Sequence, residues 1–303
     1  MNNYLTVFTP TYNRAKVLVK SYDALCRQSC KDFIWLIVDD GSSDDTKQCV
    51  ENWIAEGRIR IEYIYQENGG KQRAVNTGIK NCRTEFFGFL DSDDYYCDDT
   101  VERFSEFINL IKNKNKIAGV IARRGTDENS PIGSINIPDG WYYVNFDYLI
   151  KKYRFYGDTC CVYKTEILRK HLYPEIKDRF ILEDVMLGAI NQKYDVLFVN
   201  KVYSISEYLP DGYTKNSQKL YHKNPYGYAL GLGMITASKK RGILRRIKYT
   251  LLFTVWCKQH HIQDAATIVK DKRLYLLCFP ISMLIFLFKQ PKWYFNAGIE
   301  HER

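Results

Sequence analysis

Three carboxylates stand within four residues in the segment FLDSDD (89–94), directly after an apolar run. Asp91, Asp93 and Asp94 repel one another, and burying them is costly unless a cation or hydrogen-bond donors compensate their charge. A divalent cation together with a bound phosphate would remove the repulsion. An acidic loop without a ligand is the alternative. We favour the first interpretation, because acids placed at the end of an apolar strand are an expensive choice.

Three other polar clusters also follow apolar segments, namely TPTYNR (9–14), DDGSSDDT (39–46) and ENGGKQRAVNTG (67–78). The second could be only a turn with a helix N-cap. The third could be only a turn before a helix, but a Gly-rich segment at a helix N-terminus also binds anions, with Lys71 as counter-charge. Isolated polar loops are common, whereas four clusters at one edge of one sheet would form a ligand site.

The elements that must position these clusters alternate regularly before residue 122. Short apolar segments rich in β-branched or aromatic residues predict strands, and the segments between them predict helices. This alternation predicts an α/β fold with a doubly wound, mostly parallel sheet and helices on both faces. Ligands in such sheets bind beyond the carboxyl ends of the strands, which is where the clusters lie. The predicted strands are Tyr4–Phe8, Phe33–Val38, Arg60–Tyr65, Glu85–Leu90 and Ile117–Ala122, and the predicted helices are Ala15–Gln28, Asp45–Ala55, Gln72–Asn81 and Thr100–Asn113.

The remainder of the chain is less regular. Residues 123–180 contain Gly, Pro and many aromatic residues, including PDGWYYVNF (138–146). They could bend around a second substrate or form a loop-rich subdomain, and both interpretations stay open. Glu183–Tyr194 is predicted as a helix and Val196–Ser204 as a strand. We therefore predict one domain over 1–238 and a basic, apolar, helical C-terminal region over 239–303.

Composition excludes several classes of protein. The chain of 303 residues is 46% hydrophobic and 26% charged, as in an ordinary folded protein. Its nine cysteines include no CxxC pair, which fits neither a zinc site nor a disulfide framework and predicts reduced thiols in the cytoplasm. The N-terminus has no basic segment followed by an apolar core, so no signal peptide is predicted. The five histidines do not form a ligand-spaced set.

The C-terminal region 239–303 carries 13 Lys/Arg against 4 Asp/Glu, an excess equal to the +9 net charge of the whole chain. Such a block is typical of a region with its own partner. We predict contact with an anionic membrane surface, expect no nucleic-acid partner, and keep open that the region is a helical pair packed on the domain. The apolar run Leu274–Phe288 would span about 22 Å as a helix, short of the ~30 Å hydrocarbon core. The preceding segment predicts a basic amphipathic helix, with Leu244, Ile247, Leu251 and Val255 on one side and Arg245, Arg246 and Lys248 largely on another.

The segments TPTYNR, VDDGSSDDT, NGGKQRAVNTG and FLDSDD, in this order and spacing, resemble the family 2 glycosyltransferases of the GT-A fold, bacterial surface-polysaccharide type. The resemblance covers roughly residues 4–210 and is specific in combination, although no single motif is. ILEDVMLG (181–188) resembles the downstream ED element of the family. SEYLPDGYTKN (206–216) resembles a segment that follows this element in many bacterial members, whereas 239–303 matches no motif.

The resemblance implies an inverting transfer of a hexosyl or N-acetylhexosaminyl group from a nucleotide sugar, usually a UDP-sugar, with Mn²⁺ or Mg²⁺. The acceptor would be a hydroxyl of a glycan or lipid-linked saccharide, bound on the side formed roughly by residues 123–238. Such an enzyme would act in the cytoplasm or at the inner face of the cell membrane. The nucleotide-sugar site and the catalytic residues would both belong to the domain 1–238.

The resemblance also implies roles for individual residues. Asp184 matches the base of the family, and Glu183 would assist it or bind the acceptor. Asp40 would accept a hydrogen bond from the ring N–H of the nucleotide base. The expected donor contacts are Thr9, Pro10, Tyr12, Arg14, Asp40, Gly70, Lys71, Asn76, Asp91 and Ser92. The expected metal ligands are Asp93, Asp91 and Asp94; Asp93 is the first candidate, and whether Asp94 contacts the metal stays open. The candidates for contact with the diphosphate are Lys215 and His222.

Two other classes of protein share part of this pattern. A nucleotidyltransferase would also combine a nucleotide-binding sheet with metal-binding carboxylates, but a Gly-rich loop with a basic residue would be expected in place of TPTYNR. A non-catalytic nucleotide-sugar-binding module would not need a metal site and a separate base together. A dehydrogenase would need G-x-G-x-x-G after the first strand, and the sequence lacks it.

Overall fold

The computed structural model describes residues 4–134, 136–206 and 217–288 of the chain. The chain divides into two compact units. The segments 147–156, 173–193 and 217–238 belong to the same unit as the helices that follow residue 238, so the compact units cut across the predicted boundary at 238. The division of roles between 1–238 and 239–303 remains a prediction. Unit 1 comprises Met1–Phe146, Gly157–Leu172 and Tyr194–Pro210, and unit 2 comprises Asp147–Tyr156, Tyr173–Lys193 and Asp211–Arg303.

Unit 1 begins with the predicted alternation of strands and helices, and the predicted α/β fold class is confirmed. Four parallel strands stand in the order β3-β2-β1-β4. Since all four run the same way, their carboxyl ends share one edge of the sheet. The elements are β1 (Leu5–Thr11), α1 (Ala15–Arg27), β2 (Phe33–Asp39), α2 (Thr46–Glu56), β3 (Ile61–Tyr65), α3 (Lys71–Asn81) and β4 (Phe86–Phe89).

The second half of the sheet mixes parallel and antiparallel strands. The order continues from β4 as β9-β6-β10-β5, and β9 pairs antiparallel with both of its neighbours. This strand comes from the irregular part of the sequence, whose pattern did not predict it. The elements are β5 (Asp94–Tyr96), α4 (Thr100–Ile111), β6 (Ile117–Asp127), β7 (Ser130–Pro131), β8 (Trp141–Val144), α5 (Phe146–Tyr153), β9 (Thr159–Lys164), α6 (Thr165–Arg169) and β10 (Asp195–Ser206).

The core of unit 1 fixes the strands that carry the polar clusters. Every residue of β2 is buried, as expected for a strand covered on both faces. Tyr22, Trp35 and Trp53 form a stack against this strand, with ring centroids of Tyr22 and Trp53 4.5 Å apart. Helix α3 approaches β1 so closely that a Cβ added at Gly78 would lie 2.3 Å from the Phe8 ring. All nine cysteines are free thiols.

Unit 2 is helical in the residues that the structure describes. The predicted helix Glu183–Tyr194 is instead a 3-10 turn, Glu183–Val185, followed by a short α-helix. The Tyr228 ring packs on Tyr221 and Trp256 in its core, with centroids 4.3 and 4.5 Å away. Besides α5, the helices are α7 (Leu187–Lys193), α8 (Ser217–Lys223), α9 (Pro225–Ala237), α10 (Ile243–Gln259), α11 (Ala265–Ile268) and α12 (Lys272–Phe288), and Lys239–Arg241 forms a second 3-10 turn.

Glycines of α9 bring it against the segment that leads into the Glu183–Val185 turn. A Cβ at Gly227 would lie 1.9 Å from the Phe180 carbonyl oxygen, and one at Gly231 would lie 2.4 Å from Leu182 Cβ. The Asp178 carboxylate accepts from the Gly227 N–H at 2.8 Å. Because only glycine permits this approach, α9 sets the position of the turn.

Helices α10 and α12 contain the two predicted apolar segments. Arg246, which was expected on the polar side of α10, is in fact buried, where it pairs with Asp271 and donates to the Thr236 carbonyl. Pro280 lies inside α12. In the part of the chain that the structure describes, no helix has both the length and the apolar run that a bilayer crossing requires.

Candidate functional site

Direct hydrogen bonds and ion pairs join the four polar clusters of unit 1. Asn13 accepts from the Ser43 N–H at 2.8 Å, which links the first cluster to the second. Asp40 accepts from the Gly70 N–H at 2.7 Å, which links the second to the third. Lys71 pairs with Asp91 at 2.7 Å, which links the third to the fourth. The predicted convergence of the clusters at one sheet edge is therefore present in unit 1.

Asp40 organises the glycine loop. Its two carboxylate oxygens accept from the N–H groups of Gly69 and Gly70 and from the Gln66 side chain, at 2.6 to 2.9 Å. A carboxylate has about four acceptor positions, so these three donors occupy most of the capacity of Asp40, which is 4% exposed. Gly70 has φ +97°, a conformation that side chains rarely permit. Donor binding by Asp40 and Gly70 stays a prediction, now with a structural role for both.

Two cations compensate the acidic cluster. Lys71 Nζ lies 2.7 Å from one oxygen of Asp91, and an Arg124 Nη atom lies 3.1 Å from the other. The same Arg124 nitrogen lies 2.7 Å from Asp94, which is 4% exposed. Burial works against ionisation, but Lys71 and Arg124 hold the pKa of Asp91 below its usual range. Burial and the neighbouring Asp91 nonetheless raise the pKa of Asp94 to about 7, despite Arg124.

Asp93 is the carboxylate of this cluster with the least compensation. It is half-buried, and no described residue forms an ion pair with it. Burial and Asp91 raise the pKa of Asp93, while Lys71 and Arg14 act in the opposite direction. A divalent cation would favour its charged form, and a carboxylate oxygen suits Mg²⁺ or Mn²⁺.

A metal ion fits Asp93 better than it fits the other two acids. Both oxygens of Asp91 face cations, and Arg124 already pairs with Asp94. Among the residues described, no group of three His, Cys, Asp or Glu side chains could hold a metal. Mg²⁺ in phosphate-transfer sites commonly takes only one or two carboxylates, with phosphates and waters completing its shell. The donor set therefore fits a metal that arrives with a diphosphate.

The other predicted donor residues differ in accessibility. Thr9 is fully buried, and its hydroxyl accepts from the Trp35 indole N–H at 3.0 Å, so its side chain has no surface for a ligand. Asn76 is 3% exposed in α3. Tyr12 is 49% exposed beyond the end of β1. Pro10, Arg14 and Ser92 are half-buried at the same edge of the sheet.

The predicted catalytic pair lies in the 3-10 turn of unit 2. One oxygen of Asp184 accepts from Arg241 Nη2 at 2.9 Å, and the side chain of Asp184 is 32% exposed. Arg241 Nε donates to Asp147, whose side chain is 1% exposed, at 2.8 Å. Although burial opposes it, these two carboxylates raise the pKa of Arg241 above its usual range. Glu183 occupies the first position of the same turn.

Of the two residues predicted to bind the diphosphate, the structure describes His222 alone. Lys215 lies outside the described residues. The His222 ring packs on Trp256 in unit 2, with centroids 4.9 Å apart, and its Nδ1 lies 3.1 Å from His260 Nε2. Diphosphate binding by either residue stays a prediction.

Sequence reasoning missed Arg124 and Arg241. The adjacent pair Arg123-Arg124 inside the apolar strand β6 could have indicated the first, because an arginine in such a strand is costly to bury without a partner. Arg241 ends the run Lys239-Lys240-Arg241, which reads as a solvated charge run. Nothing in the local pattern distinguishes it from its two exposed neighbours.

Comparisons with known proteins agree with the resemblance seen in the sequence. A sequence model described as glycosyl transferase family 2 matches residues 6–172, more than half of the chain. The first curated relatives are uncharacterized glycosyltransferases of Rickettsia prowazekii and Rickettsia typhi, 32% and 33% identical over 113 residues. The matched region covers 37% of this chain and 34% of each relative, so the chain spans about a third of their length.

A longer match and two solved structures extend the comparison. A GalNAc(5)-diNAcBac-PP-undecaprenol beta-1,3-glucosyltransferase of Campylobacter jejuni is 25% identical over 72% of this chain and 70% of its own. S. aureus TarS 1-349 with UDP-GlcNAc has a TM-score of 0.53 at 16% identity, covering 93% and 91% of the two chains. A Pyrobaculum calidifontis mannosyltransferase with GDP-Man and Mn²⁺ has a TM-score of 0.51 at 16% identity, covering 94% and 87%. At this identity the structural likeness supports the GT-A fold alone.

Proposed function

This chain belongs to glycosyl transferase family 2, and we propose that it transfers a hexosyl or N-acetylhexosaminyl group from a nucleotide sugar, with inversion. We take the donor to be a UDP-sugar and the acceptor to be a hydroxyl of a glycan or lipid-linked saccharide. The observation that carries the proposal is the chain of contacts joining Asn13, Asp40, Gly70, Lys71 and Asp91 at one sheet edge. Such an edge is where α/β sheets bind nucleotides.

On the donor side, the glycine loop provides positive potential. Lys71 is the first residue of α3, and helix N-termini attract phosphate groups through their free N–H groups and dipole. The Lys71 ammonium group, held 2.7 Å from Asp91, adds a counter-charge for a diphosphate. Tyr12 and Asp40 are proposed to frame the nucleotide base and the ribose, with Asp40 accepting from the ring N–H.

Asp93 is the residue proposed to hold Mn²⁺ or Mg²⁺. The ion would supply charge stabilisation for the departing diphosphate, an effect of several kcal/mol. Asp91 and Asp94 are proposed to act indirectly, because Lys71 and Arg124 already pair with them. They set the negative potential around Asp93 and hold the loop in position.

Asp184 is proposed as the base that accepts the proton of the attacking hydroxyl. One of its oxygens is held by Arg241, and no described residue donates to the other oxygen. The side chain of Asp184 is 32% exposed, as a base that must meet a substrate hydroxyl requires. A carboxylate base in this role contributes ~10²–10⁴-fold in rate. Attack opposite the leaving group inverts the anomeric centre without a covalent intermediate.

The test of the donor side is calorimetry of UDP binding with and without Mn²⁺. Asp93→Ala should lose the metal-dependent part of the affinity while remaining folded, since Asp93 is half-buried at the surface of the cluster. Asp98→Ala is the matched control, because Asp98 is an exposed acid of the neighbouring loop whose carboxylate pairs with Arg27, away from the other three acids. Unchanged metal-dependent affinity in Asp93→Ala, with wild-type behaviour of the control, would remove Asp93 from the metal site.

We also propose that the exposed face of α12 contacts an anionic membrane surface from the cytoplasmic side, which would suit a lipid-linked acceptor. Basic residues Lys272 and Arg273 begin the helix. Each Lys or Arg near an anionic surface contributes about 1 kcal/mol, and apolar side chains add a part that salt does not weaken. The exposed apolar residues of this face are Leu276, Leu277, Phe279, Ile281, Leu284, Leu287 and Phe288.

Flotation with liposomes of increasing anionic lipid content tests this contact. The full-length protein should float with anionic liposomes and be only partly released by high salt. A full-length Leu277→Ser/Leu284→Ser variant should stay with the soluble fraction, whereas Leu110→Ser, an exposed leucine of α4, should float like the wild type. Wild-type protein that does not float at low salt would leave α12 without a membrane role. Point variants are preferable to removal of 239–303, which would also remove Arg241 from Asp184.

A further inference from the structure

The contact between Arg241 and Asp184 comes from the C-terminal region that matches no motif of the family. Arg241 ends the 3-10 turn Lys239–Arg241, and its side chain is 10% exposed. Its two exposed neighbours, Lys239 and Lys240, carry the same charge but do not share its burial. Two carboxylates, Asp147 and Asp184, compensate the charge of this largely buried guanidinium.

One guanidinium group thus bridges two acids of different exposure. Arg241 Nε donates to Asp147 at 2.8 Å, and Arg241 Nη2 donates to Asp184 at 2.9 Å. Asp147 also accepts from the Ser238 hydroxyl and is 1% exposed, so it forms a fixed anchor. The side chain of Asp184 is 32% exposed, and among the residues that the structure describes Arg241 is its one donor, on Oδ1.

The bridge has two consequences for Asp184. The planar guanidinium fork has a fixed geometry, so a guanidinium anchored on Asp147 fixes the position of the Asp184 Oδ1 atom. Two carboxylates share one cation, and no described residue donates to the second oxygen of Asp184, the more exposed of the two acids. The Oδ1 contact therefore also sets the orientation of that second oxygen.

We infer that Arg241 is a positioning residue for the Asp184 base, anchored by Asp147 and Ser238, and that the C-terminal region therefore contributes to catalysis. This inference rests on the proposed function of Asp184. It assigns to residue 241 a role in turnover that differs from membrane contact by the same region.

The test measures donor hydrolysis by full-length protein with Mn²⁺, using whichever of UDP-glucose, UDP-N-acetylglucosamine and GDP-mannose is turned over. Arg241→Gln should lower kcat about 10- to 100-fold, as expected when a reacting group is displaced, and leave the donor KM within a few-fold. Arg241→Lys should recover part of the rate, because a lysine keeps the charge but cannot bridge both acids. Lys240→Gln, which removes the neighbouring exposed charge, should match the wild type.

Added guanidinium separates positioning from stability. In Arg241→Ala the vacated space lies between two carboxylates, so millimolar guanidinium should restore several-fold of the lost kcat without altering the melting temperature. The Asp184→Asn variant should be inactive and show no such rescue. Should Arg241→Ala fail to fold, Arg241→Lys and Arg241→Gln provide the same kcat comparison.

The outcomes separate this inference from the proposed function. An active Arg241→Gln variant with wild-type kcat, beside an inactive Asp184→Asn variant, would overturn the positioning role alone. A loss of kcat in Arg241→Gln that follows thermal stability and is not rescued in Arg241→Ala would overturn it as well. Full activity of Asp184→Asn would instead overturn the proposed base.

Discussion

Arg124→Met should destabilise unit 1, because Arg124 compensates two acids in a largely buried setting. The side chains of Arg124, Asp91 and Asp94 are 17%, 25% and 4% exposed. Asp91 keeps Lys71 in the variant, whereas Asp94 loses the cation that lies 2.7 Å away. Removing one partner of a buried pair costs ~3–5 kcal/mol. We expect the lower end, about 3 kcal/mol, because the raised pKa of Asp94 lets it take up a proton in response.

Urea denaturation of matched variants measures this cost. Arg103→Met is the control, since Arg103 also faces two carboxylates, Asp99 and Glu106, at 3.2 and 3.4 Å, but on an exposed helix face. Its midpoint should stay close to that of the wild type. The double variant Arg124→Met/Asp94→Asn should recover most of the lost stability, because the uncompensated charge is then absent. An Arg124→Met variant within about 0.5 kcal/mol of the wild type would refute the reasoning from burial.

Two further predictions concern contacts made by glycines, one in each unit. Gly231→Ala should destabilise unit 2 by ~1–3 kcal/mol in urea denaturation, because its Cβ would lie 2.4 Å from Leu182 Cβ. Gly57→Ala serves as a comparison that measures only the cost of a positive φ, since a Cβ at Gly57 meets nothing within 4 Å. A Gly231→Ala variant as stable as the wild type would contradict the packing of α9 described above. Asp40→Asn should weaken UDP binding in calorimetry and lower the free energy of unfolding by ~1–3 kcal/mol, because an amide cannot accept from Gln66, Gly69 and Gly70 as the carboxylate does. An Asp40→Asn variant that binds UDP with wild-type affinity would exclude Asp40 from the donor site.

The parallel half of the sheet could be predicted from the sequence because each of its elements has a local pattern. The strands of β1 to β4 are short apolar runs, and the helices between them carry apolar residues at helical spacing. Polar clusters after parallel strands then had to meet at one edge, as the contacts of Asp40 and Lys71 show. That part of the site follows from strand direction alone.

The antiparallel strand β9 and the pairing of Arg124 with Asp91 could not be predicted in this way. Both depend on contacts between residues far apart in the chain, such as Val120 with Val162 and Arg124 with Asp91. No local periodicity encodes which distant strand becomes a neighbour. The acidic cluster in the sequence indicated that a cation must lie nearby, but it did not indicate that Arg124 is one of these cations.

Arg246 and Arg241 show the same limit in the C-terminal region. Helical spacing put Arg246 on a solvated face, yet Asp271 and the Thr236 carbonyl compensate it in a buried position. Arg241 looked like one of three equivalent basic residues and instead contacts Asp147 and Asp184. In both cases a distant carboxylate, which the local charge pattern does not reveal, allows a basic residue to be buried.

Nucleotide release with Mn²⁺, measured for the wild type and Asp184→Asn over a panel of UDP- and GDP-sugars, is the decisive test of the proposed transfer reaction. The amide is nearly isosteric with the carboxylate but is a poor base, so binding and chemistry should separate. We expect the wild type to release nucleotide from at least one donor, and only when metal is present. We expect Asp184→Asn to bind UDP and Mn²⁺ within a few-fold of the wild type while turnover falls by orders of magnitude. Turnover by Asp184→Asn near the wild-type rate, or a wild type that binds the donors and releases no nucleotide, would contradict the proposed reaction.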